Sequence, residues 1–195
     1  MMKIVNSSAR KAGIFSVGFI FYLLVLCLTG HAQQKEKLIV PGKSIGRVFV
    51  GRVSGDVIKR LGEAAEGDAA LGREGWIYFS DAKKSERLEI HLHRDIEGHR
   101  YYVESIGVTS PDFVTQRGVS TASSVEAIWK AFPTLTFSDF KQGPSGEQLE
   151  QYFDFPHGMQ VTFRAPKAGQ KRKCYMITVF EAYSPKDMLE YYKSQ

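Results

Sequence analysis

His91-Leu92-His93 is the spacing in this 195-residue chain that comes nearest to a metal site. On a strand, residues i and i+2 point to the same face, so both imidazoles would share one side. Two such rings could begin a zinc or copper site, with His99, Asp95 or Glu89 completing it. Spacing places only two ligands, and such a site needs three or four. The reading carried forward is a solvent-facing strand with no cofactor, His91 and His93 being the metal candidates.

A nucleophilic enzyme needs a Ser or Cys beside a His and an orienting acid. The chain has no GxSxG, no GxGxxG, no P-loop and no HExxH. Gly55-Asp56 and Pro144-Ser145-Gly146 read as helix-cap and turn chemistry. Cys174, within KRKCYMITVF, reads as a buried structural thiol, although Lys171, Arg172 and Lys173 beside it could lower its pKa. No residue is assigned a catalytic role, and the expectation is a protein that is not an enzyme. Aromatic side chains offer contact area instead. Alternation in WIYF sets Trp76 and Tyr78 on one face, and Tyr152 occupies a similar place in QYFDF. Trp76, Tyr78 and Tyr152 are the partner-binding candidates, against the competing reading that these rings cover the core or a helix.

Strands and helices must position these groups. Ile45–Val50, Trp76–Phe79, Arg87–Leu92 and Tyr101–Val108 read as strands, as do Gln151–Phe155, Met159–Phe163 and Cys174–Phe180. Ser54–Leu61 reads as a helix capped by Ser54 or Asp56 and stopped by Gly62. Val125, Ile128, Trp129 and Phe132 mark a second helix, with Ser123 and Glu126 as a capping box and Pro133 as its end. Ser138–Gln148 reads as a connection, and the chain closes on a short helix with Met188, Leu189 and Tyr192 docked on the body.

The first 32 residues have a different character. Lys3, Arg10 and Lys11 are followed by the apolar Ile14–Leu28, then Gly30-His31-Ala32. Basic head, apolar centre and small-residue exit make a secretory signal, and the centre is short for a membrane span. An uncleaved anchor is the alternative. Cys27 follows bulky Leu26, so no lipobox is present. The expected localisation is periplasmic or secreted, with membrane contact only through the signal. Of the 26 basic and 21 acidic residues, three basic and no acidic ones fall in the signal, so the remainder carries +2. That balance argues little for nucleic acid, and no nucleic-acid partner is expected.

The order of elements points to an internal repeat. Val57–Gly62 aligns with Ile128–Pro133, and Tyr78-Phe79 with Tyr152-Phe153. The expected fold class is α+β: two tandem repeats of one helix plus three antiparallel strands, helices packed on one face of the sheet. The divisions are residues 1–32 (signal), 33–44 (polar leader), 45–111 (first repeat), 112–183 (second repeat) and 184–195 (short helix).

PGKSIGRVFVGRVSGDVIKRLGEA resembles the opening of bacterial exported domains of the beta-lactamase-inhibitor-protein-like fold, which include small outer-membrane lipoproteins of the SmpA/OmlA type. Gly51, Ser54, Val57, Leu61 and Gly62 carry the likeness; Thr115, Gly118, Ser123, Ile128 and Phe132 carry it in SPDFVTQRGVSTASSVEAIWKAFP. The resemblance implies paired helix-plus-sheet repeats and a binding role, and transfers no binding residue. The expected function is an exported, non-enzymatic module that recognises another protein through its sheet surface. The alternatives are a cell-envelope assembly or structural factor, and a metal-binding protein using His91 and His93.

Overall fold

The computed structural model describes residues 36–79, 81, 83–143, 146–164 and 171–182. The signal segment 1–32 and the C-terminal helix expected over 184–195 lie outside the described residues.

The fold is built around one large sheet. Four antiparallel strands run consecutively: β4 (Glu66–Ala70), β5 (Arg73–Phe79), β6 (Arg87–Arg94) and β7 (Tyr101–Val108). Four more follow later in the chain: β9 (Thr136–Gln142), β10 (Gln148–Asp154), β11 (Met159–Arg164) and β12 (Lys173–Phe180). The two meanders join through β7 and β12, giving the order β4-β5-β6-β7-β12-β11-β10-β9. Helix α1 (Ser54–Leu61) precedes the first meander, and helix α2 (Val125–Ala131) precedes the second. A small sheet of β1 (Leu38–Val40), β2 (Ser44–Ile45), β3 (Val48–Phe49) and β8 (Val114–Thr115) runs in the order β3-β2-β1-β8.

One face of the large sheet makes the core. Ile90, Leu92, Val103, Ile106, Val161, Phe163 and Ile177 project from it. Val57 of α1, Ile128 of α2, Phe132, and Ile39, Ile45 and Val48 of the small sheet meet them, all buried. This is a layered solution: a sheet apolar on one side must bury that side against something else. The α1 helix is stopped at Gly62 (φ 81°), whose carbonyl accepts the Tyr78 hydroxyl at 3.1 Å. Its N-cap is Val53, with no side-chain cap bond, rather than Ser54 or Asp56. Helix α2 is capped by Ser124, which accepts from the Ala127 N–H at 3.2 Å; Ser123 instead receives the Ser120 N–H.

The expected fold class is overturned. The chain is mostly β, with twelve strands in a four-stranded and an eight-stranded sheet and two short helices among the described residues. It is not two repeats of a helix and three strands. The reason lies at the edges. β4 and β9 are the outermost strands, and every residue of each is exposed. EGDAA and TFSDFKQ therefore lack the apolar alternation that identifies a half-buried strand, and TFSDFKQ overlaps the stretch read as a connection. The segment Ile45–Val50, read as one strand, is two short strands turned on Gly46 (φ 56°). β1 lies inside the stretch read as a polar leader, with Ile39 fully buried. Trp129 of α2 is partly buried against the core.

Candidate functional site

The second face of the large sheet carries no helix or strand among the described residues. Residues opposite each other in an antiparallel pair share a face, so the register identifies what lies there. Arg73, Gly75 and Ile77 of β5 stand beside His93, His91 and Glu89 of β6. Glu89 and His91 stand beside Gly107 and Ser105 of β7. Farther across, Thr178 pairs with Gln160, and Thr162 with Gln151. Register shifts occur at His91/Leu92, Thr162/Phe163 and Gln151/Tyr152. Such bulges bend and twist strands.

The face has two adjoining depressions. One, about 900 Å³, lies over β4 to β7; the other, about 160 Å³, lies over the centre. Arg87, Glu89, His91 and Ser105 line both. Leu71 and Ile96, in the hairpin turns beyond β4 and β6, are fully exposed apolar side chains at the same end of the sheet.

A polar network crosses the centre. Arg87 pairs with Glu89 two residues on, and its guanidinium donates to the Tyr175 hydroxyl at 2.6 Å. Arg164 lies 5.0 Å from the centroid of the Tyr175 ring and pairs with Glu147 at 3.1 Å. His91 Nε2 stands 3.8 Å from Glu89. Burial raises the Tyr175 phenol above its ordinary pKa, against the opposing pull of Arg87. Gly107 keeps the space open: a Cβ there would stand 2.8 Å from Met176 Sδ and 3.2 Å from Thr178 Oγ1. The arrangement offers bonding groups of both charge signs, neutral amides and hydroxyls, and short apolar stretches. It resembles a contact surface.

His91 and His93 do share this face, and both are exposed. They turn to different neighbours. His91 approaches Glu89, whereas His93 stacks on Tyr102 with centroids 6.0 Å apart. Among the described residues no three His, Cys, Asp or Glu side chains converge to hold a metal.

Trp76, Tyr78 and Tyr152 lie on the covered face and pack against the core. Trp76 donates to Glu74 at 3.2 Å, and Tyr152 meets Trp129 (4.9 Å) and Phe163 (5.6 Å) edge-on. Five strand steps separate β5 from β10, about 24 Å at the usual spacing. The three rings therefore form no single patch. The Cys174 thiol, opposite Phe163, is pushed up to about 12 by burial, so its basic neighbours do not activate it.

Two groupings escaped the sequence reading. The Arg87–Glu89–Tyr175 network joins residues 88 positions apart, and no local spacing announces it. The fully buried Asp154 accepts from Thr134 at 2.6 Å and contacts His157 Nδ1 at 2.8 Å, locking the β10–β11 turn. Asp154-x-x-His157 is a visible spacing at that turn, although nothing in the sequence shows the carboxylate to be buried.

Comparison with known proteins gives no match to a family model, to a curated protein or to a solved structure. Among the described residues no helix is long and apolar enough to cross a membrane.

Proposed function

We propose that this chain is an exported, non-enzymatic binding module that recognises another protein through the open face of its large sheet. The observation that carries the reading is that face itself. Eight strands present a continuous surface whose centre is organised by Arg87, Glu89 and Tyr175 and whose floor is kept low by Gly75, Ser105 and Gly107. Exposed apolar tips at Leu71 and Ile96 add anchors at one end. Hydrogen-bonded polar side chains beside apolar anchors suit a macromolecular partner. The N-terminal pattern of Lys3 to Ala32 supports export, and the resemblance to exported inhibitor-like domains accords with binding.

Capture from a cell-envelope fraction tests the proposal. A partner held by the wild-type protein and by Lys59→Glu, but lost with His91→Glu, supports it. Lys59 and His91 are both exposed, so neither change disturbs the core. A partner retained equally by both variants overturns the assignment to this face. N-terminal sequencing of the released protein should begin at or near Gln33; a chain that keeps Met1 contradicts the cleaved signal.

A further inference from the structure

The two edges of the large sheet differ. β4 is five residues long and acidic, with Glu66 paired to Lys84 at 2.7 Å. Short, charged strands are the usual way to blunt a sheet edge against pairing. β9 is seven residues long, and among the described residues nothing pairs with its outer side. It exposes two phenylalanines, Phe137 at 45% and Phe140 at 52%, with ring centroids 5.0 Å apart. The backbone N–H of Phe140 donates to the carboxylate of Asp139 at 2.7 Å.

We propose that this chain pairs with a second copy of itself through β9, antiparallel, with the two-fold axis at Phe140. The β9–β10 register sets Asp139 and Lys141 on the open face, opposite Gln151 and Leu149. Phe140 is on the covered side, opposite Glu150. Antiparallel pairing about Phe140 brings each Asp139 opposite Lys141 of the second copy and stacks the two Phe140 rings on the other side. A two-fold interface must be self-complementary, and Asp139-Phe140-Lys141 meets that condition in this register. Moving the axis to Asp139 or to Lys141 sets two like charges against each other, which is destabilising. The charges therefore disfavour the two neighbouring axes at Asp139 and Lys141, and the phenylalanines supply the apolar contact. The two large sheets become one, with both open faces on the same side. Lys141 also lines the smaller depression of the open face, so the pairing borders that face, but it does not depend on the proposed function.

Sedimentation equilibrium across the micromolar range, on protein purified from cells expressing the full-length chain, tests it. The wild type should form a reversible dimer. Lys141→Asp and Asp139→Lys each set like charges across the pair, and each should weaken dimerisation about tenfold or more. Mixing the two variants in equal amounts should restore the dimer, because the hybrid pair is complementary again. The double variant Asp139→Lys/Lys141→Asp should also dimerise. Both positions are exposed, and circular dichroism should show each variant folded. A wild type that stays monomeric overturns the proposal. So do single variants that dimerise as well as the wild type, or a mixture that fails to recover.

Discussion

Truncating Phe163 to Ala should be among the costliest single changes in the core. Its side chain is fully buried on β11, and its ring meets Trp129 at 5.3 Å and Tyr152 at 5.6 Å. Large aromatic truncations in cores cost about 3–5 kcal/mol. Two ring contacts disappear with this one, each worth about 0.5–1.5 kcal/mol beyond area alone, which places Phe163→Ala at about 4–5 kcal/mol. Trp129 belongs to the same cluster but keeps part of its indole in water, so Trp129→Ala should cost less, about 2–3 kcal/mol. At this chain size the Phe163 change lowers Tm by roughly 8–20 °C. Urea unfolding followed by circular dichroism measures both variants, and an unchanged m-value shows that the native state stays compact. A Phe163→Ala cost below about 2 kcal/mol, or a larger cost for Trp129→Ala, would refute the packing of α2 on the sheet at this point.

Gly158→Ala should destabilise by about 3 kcal/mol or more, since the position needs φ 65° and a Cβ would meet Phe180 O at 2.4 Å and Gly42 Cα at 2.6 Å. A cost under about 1 kcal/mol in the same urea assay would show that the turn relaxes freely. Cys174 should be alkylated by iodoacetamide at pH 8 about 100-fold more slowly in the native protein than in urea, because burial raises its pKa to about 12. Equal rates would contradict its burial. The Tyr175 phenol, raised by desolvation, should ionise above pH 10, read as the difference in ultraviolet titration between the wild type and Tyr175→Phe. Both groups have a folded pKa above the unfolded value, so their contribution to stability is full below pH 9 and is lost as pH rises beyond it. A Tyr175 that ionises below pH 10 would contradict its environment.

The interior strands were legible because burial writes itself into composition. Leu88, Ile90 and Leu92 alternate with Arg87, Glu89 and His91, and the residues that alternate inward are those covered by the helices and the small sheet. Both helices were legible from their spacing, and Ile128 and Phe132 are buried as that spacing requires. The edge strands were not, because a strand with all residues exposed has no reason to carry an apolar period. Missing β4 and β9 turned two four-stranded meanders into two three-stranded repeats. The small sheet was missed because its strands are two or three residues long and are fixed by tertiary pairing, such as Ile39 with Ile45 and Thr115. For the candidate site, alternation placed His91 and His93 on one polar face. It could not show that Trp76 and Tyr152 face the covered side, because that depends on which face the helices take. The Tyr175 contact with Arg87 depends on β7 and β12 being neighbours, which no local pattern encodes.

Site-specific photo-cross-linking in cells that produce the chain tests the central claim most directly. A photoreactive residue at His91 stands on the open face, and one at Lys59 stands exposed on α1 as the control. The account predicts a discrete cross-linked protein from position 91 and none from position 59. Cross-linking from position 59 with none from position 91 would contradict recognition through the open face.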